Sequence, residues 1–270
     1  MFQLRQEKIY MIPNQIILLG GGASCRYLGA IDRGLFSFLQ DKFCIGINYS
    51  YKWVNTTCNL GVDETLYARN GDHEEIAKLP LWIGKEHWNL GKRELNSIFL
   101  KESLEYNRDL IQGVYKPTLS GIFALSLAIK LLDYAEGLTE IYLLGYDNGP
   151  AKDENYNFIN DSKGRPITHW YQNEFEHRGT GKIAWYTATT LDYESRKRIT
   201  KAEEEYRVFK NESKVKIYNV GGTSMIPIFP QISYHEFFKN ASYTKIPNQD
   251  ELREKLWSII TTIKQMQSTK

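Results

Sequence analysis

The segment His169–Lys182, HWYQNEFEHRGTGK, gathers two of the chain's five histidines with Glu174, Glu176, Arg178 and Lys182. Imidazole is the side chain best poised to move a proton near neutral pH. His177 therefore reads as a candidate general base, and the neighbouring cations Arg178 and Lys182 suit the charge of a phosphate. His169 is a secondary candidate for the same role, with Trp170 and Tyr171 open to a packing role. His73, His87 and His235 have no such company and read as ordinary surface histidines.

Two short runs could meet a ligand's phosphate. Gly20-Gly21-Gly22-Ala23-Ser24 follows the apolar run Gln15–Leu19 and precedes an amphipathic stretch from about 27 to 39. A glycine loop between strand and helix lets backbone approach closely, and free amides at a helix start attract anions. The run matches neither G-x-G-x-x-G nor G-x-x-x-x-G-K-[ST], so it specifies neither NAD nor a P-loop nucleotide. Phosphate binding and a merely tight turn both remain open. Thr118-Leu119-Ser120-Gly121 sets two hydroxyls and a glycine before the apolar helical run that starts at Ile122; a plain N-cap explains them equally well. Asp147, in the turn Gly145-Tyr146-Asp147, can orient a ribose hydroxyl, bind a metal or cap a loop. No pair of carboxylates has diagnostic metal-ligand spacing.

The elements that must position these residues alternate. Strands are expected at 15–19, 43–47, 79–83, 141–144 and 216–220. Helices are expected from about 27 to 39, over 92–112 closing at Gly113, from Ile122 to a cap at Gly137, over 187–210 and over 249–266. That order predicts one α/β domain, 1–270, with a Rossmann-like, doubly wound and mainly parallel sheet. In such sheets ligands bind beyond the carboxyl ends of the strands. Gly20–Ser24, Asn48, Gly145–Asp147 and Gly221–Ser224 all follow expected strand ends, so all should line one edge. The polar stretch 148–182 reads as a lid-like insertion, since long loops inside compact domains are usually functional.

Composition narrows the classes. Lys+Arg 34 against Asp+Glu 32 leaves a net charge of +2, and no long block of like charge occurs, which excludes a polybasic nucleic-acid arm. Cys25, Cys44 and Cys58 stand far apart with no C-x-x-C pair, so neither a zinc site nor a disulfide framework is expected. Charges at Arg5, Glu7 and Lys8 interrupt the start where a secretion signal needs an apolar core, and no run is long and apolar enough to span a bilayer. A cytoplasmic protein, peripheral to a membrane at most, is the expectation. Eighteen tyrosines are an unusual surplus of rings with polar tips.

Taken in order, strand–GGGAS, strand–Asn48, SGIFALSLAI…EIYLLGYD, Tyr156-Asn-Phe158, a histidine-bearing loop, helix and KIYNVGG resemble the bacterial CMP-sialic-acid-dependent sialyltransferases of glycosyltransferase family 42. The series also resembles the related domain-of-unknown-function-115 proteins, which include archaeal 6-hydroxymethylpterin diphosphokinases. The likeness covers about 15–50 and 117–225. It implies a GT-A-type variant of the Rossmann-like fold. It implies that Gly20, Gly21, Gly22 and Ser24 form the nucleotide loop, with Gly21 where the family has Asn and Ala23 where it has Pro. Asn48, Ser120 and Gly121 would hold the nucleotide, with Lys182 beside its phosphate. Asp147 would close the central strand's Gly-x-Asp. Tyr156 would steady the leaving phosphate, assisted by Arg178, and His177 would be the general base. The second tyrosine of the family's pair, due near Asn148 or Gly149, is missing.

The function so implied is inverting transfer of a sugar from a CMP- or UDP-type nucleotide donor to an acceptor hydroxyl. Neither a metal nor another cofactor is required, because the nucleotide sugar is itself a substrate. Two alternatives stay open: a Mg²⁺-dependent diphosphokinase of the pterin type, in which Asp147 would help hold the ion, and a nucleotide-binding protein without chemistry. The expected partners are the donor and an acceptor glycan or other hydroxyl-bearing molecule. A homo-oligomer is compatible with the sequence, and nucleic acid is not favoured.

Overall fold

The computed structural model of the chain describes residues 11–63, 73–86, 96–116, 119–150, 157–160, 164, 166–167, 169–170, 193–212, 214–221, 224 and 228–268. Its centre is β1 (Gln15–Leu19), whose QIILL run is buried on both sides and reads as a near-continuous apolar strand, as a covered parallel sheet demands. β1 pairs in parallel with β2 (Cys44–Ile47) on one flank and with β8 (Thr139–Leu144) on the other. Beyond β2 the sheet continues through β3 (Cys58–Gly61), β4 (Trp82–Lys85) and β5 (Ser97–Leu100). Beyond β8 it continues through β9 (Val215–Val220) and β10 (Gln231–Ile232). All eight strands run parallel, so the Rossmann-like α/β expectation holds and sharpens from mainly to wholly parallel within this sheet. The chain fills one side of β1, then returns to β8 and fills the other, which puts the switch in strand order between β1 and β8.

Alternation along the strands builds two cores. Ile16, Leu18, Ile45, Leu60, Ile141 and Leu143 face one layer, which holds α4 (Ser120–Leu131) and α7 (Gln249–Ser268). Buried Ala202 and Tyr206 of α5 (Tyr193–Arg207) join the same layer. Ile17, Leu19, Cys44, Tyr142 and Leu144 face the opposite layer, with α1 (Ser24–Tyr27), α2 (Leu35–Leu39) and α6 (Tyr234–Ala241). Each fully buried Leu or Ile contributes about 1.5–3 kcal/mol by leaving water. Among the described residues no helix is long and apolar enough to cross a membrane.

Three expectations need correction. The helix expected over 27–39 is two short helices, because Gly29 (φ 69°) and Gly34 (φ 84°) both take the left-handed conformation and break the run. Arg33 fills the break by donating from Nε to the Gly29 carbonyl at 2.9 Å. The charged stretch expected as a helix over 92–112 is instead β5, then β6 (Glu102–Ser103), which pairs with β7 (Val114–Tyr115); residues 92–95 lie outside the described ones. Tertiary pairing overrides the charged composition here: Ile98 and Leu100 enter the core, and Gln267 of α7 accepts the Lys101 N–H at 3.1 Å and donates to the Leu110 carbonyl at 3.0 Å. The expected strand at 79–83 is shifted to β4. The strand β3, the short helix α3 (His73–Ile76) and α6 were not expected at all, although Ser233 and Glu236 form a full capping box at the start of α6.

Candidate active site

Because β1, β2, β8 and β9 are parallel, the four loops after them emerge at one edge, as the strand-end rule required. Gly20–Ser24, Asn48, Gly145–Asp147, Gly221 and Ser224 all lie there, while Gly222 and Thr223 fall outside the described residues.

The glycine loop is held by the chain itself. The Gly20 N–H donates to the Leu144 carbonyl and the Gly22 N–H to the Gly145 carbonyl, each at 2.8 Å. The Ser24 N–H donates to Asp147 Oδ2 at 2.7 Å. Three amides that might have met a phosphate therefore have acceptors, one of them a carboxylate. The glycines are explained by crowding: a Cβ on Gly20 would lie 2.7 Å from the Gly145 carbonyl oxygen, and one on Gly22 would lie 2.5 Å from the same oxygen and 2.7 Å from Asp147 Oδ2. Gly145 turns the chain in the left-handed conformation (φ 64°), which a residue without Cβ adopts freely. The tight-turn reading thus accounts for these glycines, and the α1 helix that follows is a single turn.

Asp147 is buried at 4% exposure. Loss of water pushes its carboxyl above the ordinary value of 3.8, and hydrogen bonding with Ser24 pulls it partly back. The network continues inward. Ser24 Oγ shares a hydrogen bond with the Tyr234 hydroxyl at 3.3 Å, and that hydroxyl approaches Cys25 Sγ at 3.2 Å. Burial holds both the Tyr234 phenol and the Cys25 thiol well above their usual ranges, the latter at about 12, so neither is a ready nucleophile.

Tyr146 and Gly121 meet for packing. The Tyr146 hydroxyl donates to the Gly121 carbonyl at 3.1 Å, and a Cβ on Gly121 would sit 2.9 Å from the Tyr146 ring. Tyr146 is 5% exposed, so its ring belongs to the wall and offers no open stacking face. Other tyrosines of the surplus are likewise structural: Tyr142 and Tyr218 stack at 5.5 Å on neighbouring strands, and Tyr106 and Tyr115 pack edge-on to Phe209.

A second polar corner was visible only in part from the sequence. Asn48 leaves β2 in the left-handed conformation (φ 54°), and its Nδ2 donates to Asp63 Oδ2 at 2.9 Å. Ser120, the first residue of α4, donates its hydroxyl to the same oxygen at 2.9 Å. Asn48 and Ser120 are thus brought together, and what joins them is Asp63, a carboxylate just past β3. Its signal was present, since Asp63 follows the apolar run CNLGV, but β3 itself went unrecognised in a stretch that reads as polar and aromatic.

Of the stretch 148–182, residues 148–150, 157–160, 164, 166–167 and 169–170 are described, and His169 and Trp170 among them meet the glycine loop. His169 forms an antiparallel bridge with Gly22, the Trp170 N–H donates to the Gly21 carbonyl at 3.0 Å, and the Trp170 indole donates to the Gly20 carbonyl at 3.0 Å. Thr118, Tyr156, His177, Arg178 and Lys182 lie outside the described residues. Among the described residues no group of three or more His, Cys, Asp or Glu side chains is placed to hold a metal ion. No family model matches the chain, and neither the curated proteins nor the solved structures contain a match to it.

Proposed function

We propose that the chain is a nucleotide-sugar-dependent glycosyltransferase that inverts the donor's anomeric carbon. The single observation carrying this reading is the convergence of the Gly20–Ser24 loop, Asn48, Ser120 and Asp147 on one edge of a parallel sheet, about its switch in strand order. Two chemical needs follow. An acceptor hydroxyl must lose a proton, which is assigned to His177. Charge must be stabilised on the departing phosphate, which is assigned to Tyr156, Arg178 and Lys182. The amides of Gly20, Gly22 and Ser24 already have partners within the chain, so that charge falls chiefly to these side chains. Direct attack by the acceptor requires no glycosyl-enzyme intermediate, hence no second close carboxylate of the kind a retaining hydrolase uses.

The test has two parts. A thermal-shift series with CMP, UMP, GDP and ADP should give one nucleotide that raises Tm, because a ligand of the native state stabilises it by mass action. His177→Ala should retain that shift while transfer falls by about two to four orders of magnitude. Near-normal turnover in the variant would refute the base assignment.

One observation favours a second reading. Asp63 and Asp147 give the same edge two carboxylates, which a magnesium nucleotide could use in diphosphoryl transfer. Complete loss of activity in excess EDTA, with AMP as product from ATP, would select it.

A further inference from the structure

We infer that Asp63 is the specificity-determining acceptor of the donor site, and that it selects a nucleotide sugar whose sugar is uncharged and rich in hydroxyls over one that carries a carboxylate. The inference rests on the glycosyltransferase reading and adds the class of donor to it.

The corner at the ends of β2 and β3 and the start of α4 is built to accept hydrogen bonds. Both resident donors, Asn48 Nδ2 and Ser120 Oγ, go to Oδ2 of Asp63, each at 2.9 Å. Among the described residues no donor reaches Asp63 Oδ1, although a carboxylate has room for about four hydrogen bonds. Asn48 Oδ1 is buried and likewise has no hydrogen-bond partner. Asn48 Oδ1 is thus a buried acceptor without a donor, where buried acceptors normally have one, and Asp63 Oδ1 beside it is open to a further donor.

The charge points the same way. The first turn of α4 would on its own attract an anion, but Asp63 already supplies that charge through Ser120. A sugar carboxylate or a phosphate brought to this corner would face a like charge with no described cation beside it, whereas sugar hydroxyls would satisfy both open acceptors. A divalent cation is a poorer fit: it asks for six or more oxygen ligands, and the described corner offers one carboxylate, one amide oxygen and one hydroxyl oxygen.

Binding of two matched donor pairs decides the matter: UDP-glucose against UDP-glucuronate, and GDP-mannose against GDP-mannuronate, with CMP-sialic acid as a further acidic probe. In the wild type the neutral member of the responding pair should bind about ten-fold or more tightly than its acidic counterpart, as like-charge juxtaposition requires. In Asp63→Asn, checked for native circular dichroism, that preference should shrink to about three-fold or less. Equal or tighter binding of an acidic donor by the wild type overturns the inference without any variant, and so does a response confined to CMP-sialic acid. An unchanged preference in folded Asp63→Asn also overturns it. In all three cases nucleotide binding itself survives, so the glycosyltransferase reading stands. Absence of any shift from free nucleotides and donors alike overturns both together.

Discussion

Asp147 Oδ2 accepts the backbone N–H of Ser24 at 2.7 Å, so the carboxylate at the end of β8 caps the turn that follows the glycine loop of β1. These two strands flank the switch in strand order, the place where a ligand would otherwise find free amides. The protein supplies its own acceptor there. A phosphate that sought the Ser24 amide would have to displace Asp147 from it.

The buried Asp147 carboxyl makes stability pH-dependent in a definite direction. Burial raises its pKa in the folded chain above the ordinary 3.8. Below the ordinary value the carboxyl is protonated in both states and contributes no pH dependence. As pH rises, the unfolded chain releases the proton first, the native state binds more protons, and stability falls until pH has passed the raised folded pKa. Asp147→Asn keeps an oxygen for the Ser24 N–H and removes the ionisation. The stability of Asp147→Asn relative to wild type should therefore increase between about pH 4 and pH 7, read from urea unfolding at several pH values. A relative stability that declines over that interval would show that the ionised form is the favoured one.

Crowding at the glycine loop predicts a cost independent of any ligand. Gly22→Ala would drive a methyl to 2.5 Å from the Gly145 carbonyl oxygen, a backbone atom that cannot simply rotate away. The ligand-free protein should lose about 1–3 kcal/mol, the usual range for overpacking. At this chain length each kcal/mol lowers Tm by about 2–4 °C. Unchanged stability of the ligand-free variant would mean that the glycine is kept for close approach of a ligand and that the crossing with β8 is easily relaxed.

Much of this arrangement was legible in the sequence because parallel strands buried on both faces announce themselves. QIILL, FCIGI and IYLL are short apolar runs closed by Gly or Asn, and their order suffices to bring Gly20, Asn48 and Gly145 to one edge. Two kinds of feature were hidden. The first is partnership across long separations: nothing local in Asp63 tells that Asn48 and Ser120 will donate to it, because β3 is only four residues long and lacks clear alternation. The second is the reason for a glycine. Gly20, Gly22 and Gly121 read equally as phosphate cradle or close packing, and only the positions of the Gly145 carbonyl and the Tyr146 ring show how little room a side chain would have there. Composition misled in 96–112, where charged residues suggested a helix and strand pairing prevailed. Part of the tyrosine surplus similarly resolves into walls and stacked pairs, as with Tyr146 and with Tyr142 on Tyr218, whereas Tyr243 is exposed.

Trp170 ties its segment to the glycine loop, and its contribution can be divided. It is 2% exposed, its ring packs on Phe36 at 5.2 Å and Trp53 at 5.0 Å, and its indole N–H donates to the Gly20 carbonyl. Trp170→Phe retains most of the apolar contact and removes the donor, which leaves a carbonyl of the glycine loop without that partner at a cost of about 1–3 kcal/mol. Trp170→Ala also opens a cavity and should cost about 3–5 kcal/mol. Equilibrium denaturation of both variants measures the split, since the difference between them is packing and the Phe value is chiefly the hydrogen bond. Because the same residue donates its backbone N–H to Gly21, Trp170→Phe should in addition speed hydrogen exchange at the loop amides of Gly20 and Gly22 without changing exchange in α7, which is remote from it. Uniformly faster exchange across the molecule would identify Trp170 as a general core residue and dissolve its special tie to the glycine loop.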